Sequence, residues 1–314
     1  MQQPATAKSS TGSRRAAFHA TALTPLLAVG AAAAKLLNSI AWLQHRYEAT
    51  TDIAYADGEQ HKLDVYRPRG GAGAPVIVYF YGGKWQSGTK EMYGFLAAAL
   101  TARGYVVVVP DYRLYPEVRF PDFIADGAKA LRWTRDNIAA FAGDAGALFI
   151  MGHSAGAYIA AMLAFDRQWL DDVGLDPDRD IAGLIGVSGP YDFLPLRDQD
   201  LVAIFGGDNR PVTQPIFHAE GRKPPALLLT GADDRTVTPG NSTRLSAKLR
   251  RDGNDVTERV YPRLGHFTIL AGFTPVVAPF LSPRRDLDAF VARIQSRRLG
   301  ERQSPLTRAA VPAP

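Results

Sequence analysis

Four consecutive valines, Val106 to Val109, held between Tyr105 and Pro110, constrain this chain more than any other stretch. β-branched side chains favour extended backbone, and an unbroken apolar run leaves neither face of the strand for water. A strand buried on both faces belongs to a mostly parallel sheet covered on both sides, so helices should alternate with strands along the chain. His61–Tyr66, Pro75–Tyr81, Tyr105–Pro110, Ala147–Met151, Ile181–Val187, Ala226–Thr230 and Val256–Tyr261 read as strands. Glu91–Arg103, Phe123–Ile138, Ala155–Phe165, Ser242–Arg251 and Asp286–Arg297 read as helices between and after them. Right-handed crossovers then give a doubly wound α/β fold with helices on both faces. In such sheets ligands bind beyond the carboxyl ends of the strands, so the residues that follow each strand are the ones to inspect.

After Ala147–Met151 comes Gly152-His153-Ser154-Ala155-Gly156, a Gly-x-Ser-x-Gly sequence running straight into a small-residue helix. A sharp strand-to-helix turn lifts a serine hydroxyl clear of the sheet, and the two glycines let strand and helix pass closely. The same turn leaves the Ala155 N–H free at a helix N-terminus, where negative charge is favoured. After Pro75–Phe80 comes Tyr81-Gly82-Gly83-Lys84-Trp85. Its paired glycines, Gly82 and Gly83, free the backbone to turn amide donors inward, Gly83 first and Lys84 as a second candidate, and with Ala155 they make an oxyanion hole.

Two further strand ends carry titratable groups. Ala226–Thr230 leads into Gly231-Ala232-Asp233-Asp234-Arg235-Thr236-Val237, and Val256–Tyr261 into Leu264-Gly265-His266-Phe267. The chain order for this kind of site is Ser, acid, His. Of the histidines at 19, 45, 61, 153, 218 and 266, only His266 lies beyond the aspartate pair. Either aspartate lies within its reach, and the spacing Asp234-x-x-Val237 favours Asp234 over Asp233. Ser188-Gly189-Pro190-Tyr191-Asp192-Phe193 also follows a strand and by position lines the acyl or leaving-group pocket. Trp85, His153 and Tyr191 are the side chains expected there, and Leu194–Phe217 is a candidate small cap.

With these pieces placed, residues Asp52 to Arg298 resemble the esterase/lipase-like α/β-hydrolases, nearest to carboxylesterases related to feruloyl esterases and kynurenine formamidases. The His-Gly-Gly-x-Trp oxyanion motif of that group corresponds to Tyr81-Gly82-Gly83-Lys84-Trp85, with Tyr in place of His, a change that spares the backbone donors. The group's Asp-Tyr-Arg-Leu segment stands at Asp111-Tyr112-Arg113-Leu114, where it implies support under the oxyanion loop. The resemblance implies Ser154 as nucleophile, His266 as base and Asp234 as its orienting acid. It implies a serine carboxylic-ester hydrolase acting through an acyl-enzyme on short-chain or small aromatic esters, with no metal or cofactor. Amide or formamide hydrolysis is the alternative. A non-catalytic binding module is disfavoured, because all three triad residues are present.

Composition sets the remaining bounds. The net charge is +5 and basic pairs such as Arg250-Arg251 and Arg297-Arg298 have no aromatics between them, so a solvated face is the better reading than nucleic-acid binding. There is no cysteine, which rules out disulfides, a thiol nucleophile and thiolate metal sites in these residues. Arg14-Arg15 precede an apolar run from Thr21 to Ala34 that ends in Ala32-Ala33-Ala34. That pattern predicts a secretory signal over residues 1–34 and hence a periplasmic or secreted protein; the alternative is an N-terminal apolar segment on a cytoplasmic or weakly membrane-associated protein. Residues 35–50 are expected to be a linker or helix, 51–300 the catalytic domain and 301–314 a disordered tail.

Overall fold

The computed structural model describes residues 47–274 and 283–303. Eight strands form one sheet in the order β1-β2-β4-β3-β5-β6-β7-β8. They are β1 (Tyr47–Ala54), β2 (Lys62–Pro68), β3 (Ala74–Phe80), β4 (Val106–Pro110), β5 (Gly143–His153), β6 (Gly183–Val187), β7 (Ala226–Gly231) and β8 (Val256–Tyr261). From β4 to β8 all neighbours are parallel, while β2 runs antiparallel to both β1 and β4. The four valines are fully buried in β4, as a strand between two helical layers requires.

The helices are α1 (Gly94–Thr101), α2 (Asp122–Asn137), α3 (Ala155–Phe165), α4 (Gln199–Phe205), α5 (Gly240–Arg251) and α6 (Pro283–Gln303), with short turns between some of them. The crossover from β3 to β4 runs one way along the sheet, and those from β4 to β5 and β5 to β6 run the other. Right-handed crossovers therefore put α1 on one face and α2 and α3 on the other. Arg103 and Tyr105 both bond to Asp288 of α6, which keeps α6 on the α1 face. All of α3 is buried, consistent with its Ala-rich sequence, and its one polar side-chain group, the Tyr158 hydroxyl, donates to the Thr213 carbonyl at 2.6 Å.

The direction of winding changes at β3, so a crevice opens between the carboxyl ends of β3 and β5. Both glycine-bearing motifs sit there.

Two expectations need correction. Residues 47–50, assigned to a linker or helix, are the start of β1. This strand is exposed along most of its length and carries mixed polar residues, so no apolar alternation marks it. The helix expected over Glu91–Arg103 is a 3₁₀ turn at Lys90–Tyr93 followed by the shorter α1. The stretch expected as a small cap, Leu194 to Phe217, contains α4 and the 3₁₀ turn Pro211–Thr213, and it packs on the Gly82–Trp85 loop through Phe205 and Asp198. The signal expected over 1–34 and most of the tail expected over 301–314 lie outside the described residues.

Candidate active site

Ser154 occupies the single residue between β5 and α3, with φ 54° and ψ −122°. That backbone is unfavourable for any residue with a Cβ, at about 1–3 kcal/mol. It persists because the flanking segments fix it. Ser154 N–H donates to the Val187 carbonyl at 3.0 Å, and Ser154 C=O accepts from Tyr158 N–H at 3.1 Å. Gly152 and Gly156 make the turn sterically feasible, since a methyl group on Gly156 would stand 2.0 Å from the Phe80 oxygen. The resulting hydroxyl is partly exposed at the crevice.

His266 reaches this hydroxyl from the turn after β8, with Nε2 2.9 Å from Ser154 Oγ. Its Nδ1 lies 2.8 Å from Asp234 Oδ2. A carboxylate only accepts, so Nδ1 carries the proton and Nε2 offers its lone pair to the serine O–H. Burial alone would raise the Asp234 carboxyl, but hydrogen bonds from His266 and the Val237 N–H outweigh it and hold the group below its ordinary range. Oδ1 accepts from Thr236 N–H at 3.0 Å and Val237 N–H at 2.8 Å. The Asp-x-x-Val spacing is therefore a turn closed on the carboxylate itself. Asp233 is exposed, and its backbone N–H instead ties the acid loop to the Leu264 carbonyl at 2.9 Å.

The Gly82-Gly83 loop, the candidate oxyanion loop, lies against Ser154. A methyl group on Gly82 would sit 2.9 Å from Ser154 Cβ, and one on Gly83 1.8 Å from the Ser87 oxygen. Gly83, Lys84 and Trp85 all take positive φ, 141°, 55° and 57°, which coils the chain tightly. Among the described residues no acceptor takes the Gly83 N–H, and the Ala155 N–H is the first of its helix and has no partner within it. Both donors remain for a ligand.

Several bonds hold this loop in shape. Asp111 Oδ1 accepts from the Tyr81 hydroxyl and from Lys90 N–H, each at 2.8 Å, so one carboxylate clamps both ends of the loop. Tyr112 O–H donates to the Tyr81 carbonyl at 2.7 Å, and Tyr115 N–H to the Trp85 carbonyl at 2.8 Å. Burial pushes the Asp111 carboxyl up to about 6, against the pull of those two donors. Lys84 pairs with Asp198 at the start of α4, at 2.7 Å. Trp85 packs edge-on to Tyr158 and Phe205 and parallel to Phe193.

The side chains expected to line the pocket sit differently. His153 and Tyr191 have no exposed surface and Trp85 only 3%. They support the site from beneath. His153, the last residue of β5, turns its ring inward, where Nε2 meets the His266 carbonyl at 2.8 Å. Tyr191 is drawn inward because Asn241 Oδ1 accepts the N–H groups of Tyr191 and Asp192, each at 3.0 Å. Sequence reasoning missed Asn241 and also Phe267, whose ring is 62% exposed and edge-on to His266 at 5.0 Å. Its position next to the base was the available signal.

Residues 63–249, more than half of the chain, match the family model described as BD-FAE. The chain belongs to the BD-FAE family. It is similar to isoprenylcysteine α-carbonyl methylesterase of Arabidopsis thaliana, 30% identical over 257 residues, covering 74% of this chain and 60% of that protein. It is also similar to a kynurenine formamidase of Danio rerio, 34% identical over 146 residues, covering 46% of this chain and 47% of that protein. This BD-FAE chain thus spans only 47% to 60% of the length of those curated relatives. Among solved structures, an inhibited esterase B of Lactobacillus rhamnosis superposes with a TM-score of 0.74 at 19% identity, covering 90% of this chain and 99% of that one. That likeness shows the α/β-hydrolase fold for this BD-FAE chain. Among the described residues no group of three His, Cys, Asp or Glu is placed to hold a metal ion, and no helix is long and apolar enough to cross a membrane.

Proposed function

We propose that this protein is a serine carboxylic-ester hydrolase working through an acyl-enzyme, on esters with short-chain or small aromatic parts. The observation that carries this reading is the unbroken line from Ser154 Oγ to His266 Nε2 at 2.9 Å and from His266 Nδ1 to Asp234 Oδ2 at 2.8 Å. His266 takes the Ser154 proton as Oγ attacks the ester carbonyl carbon. The oxygen, now negative, is received by the N–H groups of Ala155 and Gly83. The carbon–oxygen bond to the alcohol breaks as His266 returns the proton to the leaving oxygen. Water, deprotonated by His266, then releases the acid and restores Ser154. Asp234 holds the tautomer and faces the imidazolium throughout.

The test is turnover of p-nitrophenyl esters of increasing chain length by wild type and Ser154→Ala. A Ser154→Ala protein with near wild-type rate would remove Ser154 from the chemistry.

Formamide hydrolysis is the second reading, supported by the likeness to the Danio rerio formamidase. The triad serves both, so rates on p-nitrophenyl acetate and N-formylkynurenine measured side by side decide between them. We also propose export directed by residues 1–34, checked by N-terminal sequencing of the mature protein.

A further inference from the structure

The chemistry above leaves His153 without a role, although it precedes the nucleophile directly. Its side chain is fully buried, and its ring centre lies 4.7 Å from that of His266. Nε2 is 2.8 Å from the main-chain oxygen of His266, a contact across 113 residues. A carbonyl oxygen only accepts, so Nε2 carries the proton. Burial, and after it the nearby His266 charge, push the His153 pKa down to about 3, so the ring holds one proton and Nδ1 is a bare lone pair. Nδ1 meets no donor among the described residues and faces the oxyanion loop, where a methyl group on Gly82 would lie 3.1 Å from it. One side chain therefore touches the nucleophile turn, the loop of the base and the loop of the oxyanion donors.

The loop of the base is tied to the Asp234 loop by Asp233 N–H to the Leu264 carbonyl at 2.9 Å, two residues before His266, and its other backbone ties near His266 are short-range. Gly265 N–H bonds to Thr268 Oγ1 at 2.8 Å, and Ile269 N–H to Gly265 C=O at 3.3 Å, both local. The bond from His153 is the long-range one at the His266 backbone. Without it a carbonyl beside a buried ring loses its partner, and the Asp234 bond at 2.8 Å is left to hold the imidazole against Ser154 on a looser backbone. We propose that His153 is a positioning residue, whose Nε2–H holds the His266 carbonyl and so fixes the base against Ser154. A neutral ring suits this place, because a cation here would oppose the imidazolium that forms at His266.

This inference rests on the esterase reading. It is tested with p-nitrophenyl acetate on wild type, His153→Leu, His153→Asn and His153→Gln. The Gln amide nitrogen reaches the place of Nε2, the Asn nitrogen stops near that of Nδ1, and Leu has no donor. The expected result is a kcat about 10- to 100-fold lower in the Leu and Asn variants, with KM within about threefold of wild type, and recovery of most of the loss by Gln. A side chain that merely fills space would not separate kcat from KM or distinguish Gln from Asn. If His153→Leu fails to fold, the Asn and Gln pair carries the comparison. Wild-type kcat in the Asn variant, or Gln no better than Asn, overturns the proposal alone. A wild-type protein without turnover overturns the esterase reading and this proposal with it.

Discussion

Gly152 and Gly156 meet across the turn that carries Ser154: a methyl group on Gly152 would lie 2.2 Å from the Gly156 carbonyl oxygen. Backbone stands on both sides of that contact, so no side chain can rotate away to make room. A methyl group on Gly156 itself meets backbone too, the Phe80 oxygen at 2.0 Å, so Gly156→Ala is expected to cost more than about 3 kcal/mol of stability, read from urea unfolding. A loss under about 1 kcal/mol would mean that β3 and α3 can separate at little cost.

The backbone of Ser154 leads to a second expectation. Ser154→Ala and Ser154→Gly both remove the hydroxyl, and each should lower kcat by about 10³-fold or more. Only Gly tolerates φ 54° with ψ −122° without strain. Ser154→Gly should therefore unfold later than Ser154→Ala, by about 1 kcal/mol after glycine's extra chain entropy is set against the relief. Equal melting curves would show that the turn stores no strain.

The adjacent aspartates should behave very differently. Asp234→Asn keeps the shape but presents an amide to Nδ1, favouring the wrong tautomer, and should lower kcat by about 10²- to 10⁴-fold. Asp233→Asn changes an exposed side chain and should leave kcat within about twofold. Comparable losses in the two variants would reassign the acid.

Asp111 makes stability depend on pH. Its carboxyl is raised to about 6 in the folded protein, against a usual 3.8. The stability it contributes is full below about pH 4 and is lost as pH rises through about 6. Asp111→Asn has no such loss, so relative to that variant wild type should weaken by about 1–3 kcal/mol between pH 4.5 and pH 7.5. Unfolding curves at the two pH values check this. A difference that does not move with pH would mean the carboxyl titrates as an exposed one does.

Strands buried on both faces were legible because short β-branched apolar runs such as Val106–Val109 fit a parallel sheet covered on both sides. The order Ser154, Asp234, His266 was legible because each residue follows a strand. The first strand was not, since Glu48, Thr50 and Thr51 sit on an exposed edge where burial imposes no pattern. Nor were the roles of His153, Trp85 and Tyr191. Sequence places a residue near a site, but its side-chain direction depends on partners far along the chain, Asn241 for the Tyr191 loop and the His266 carbonyl for His153.

The packing of Trp85 bears on redesign of the substrate range. Phe193 and Phe205, two of the rings around it, come from the stretch between β6 and β7 that an engineer would first trim or exchange to widen the mouth. Such a graft removes the socket that seats Trp85, and with it the coiled backbone presenting Gly83. A transplanted loop must therefore bring its own aromatic socket, or scope will be gained at the expense of turnover.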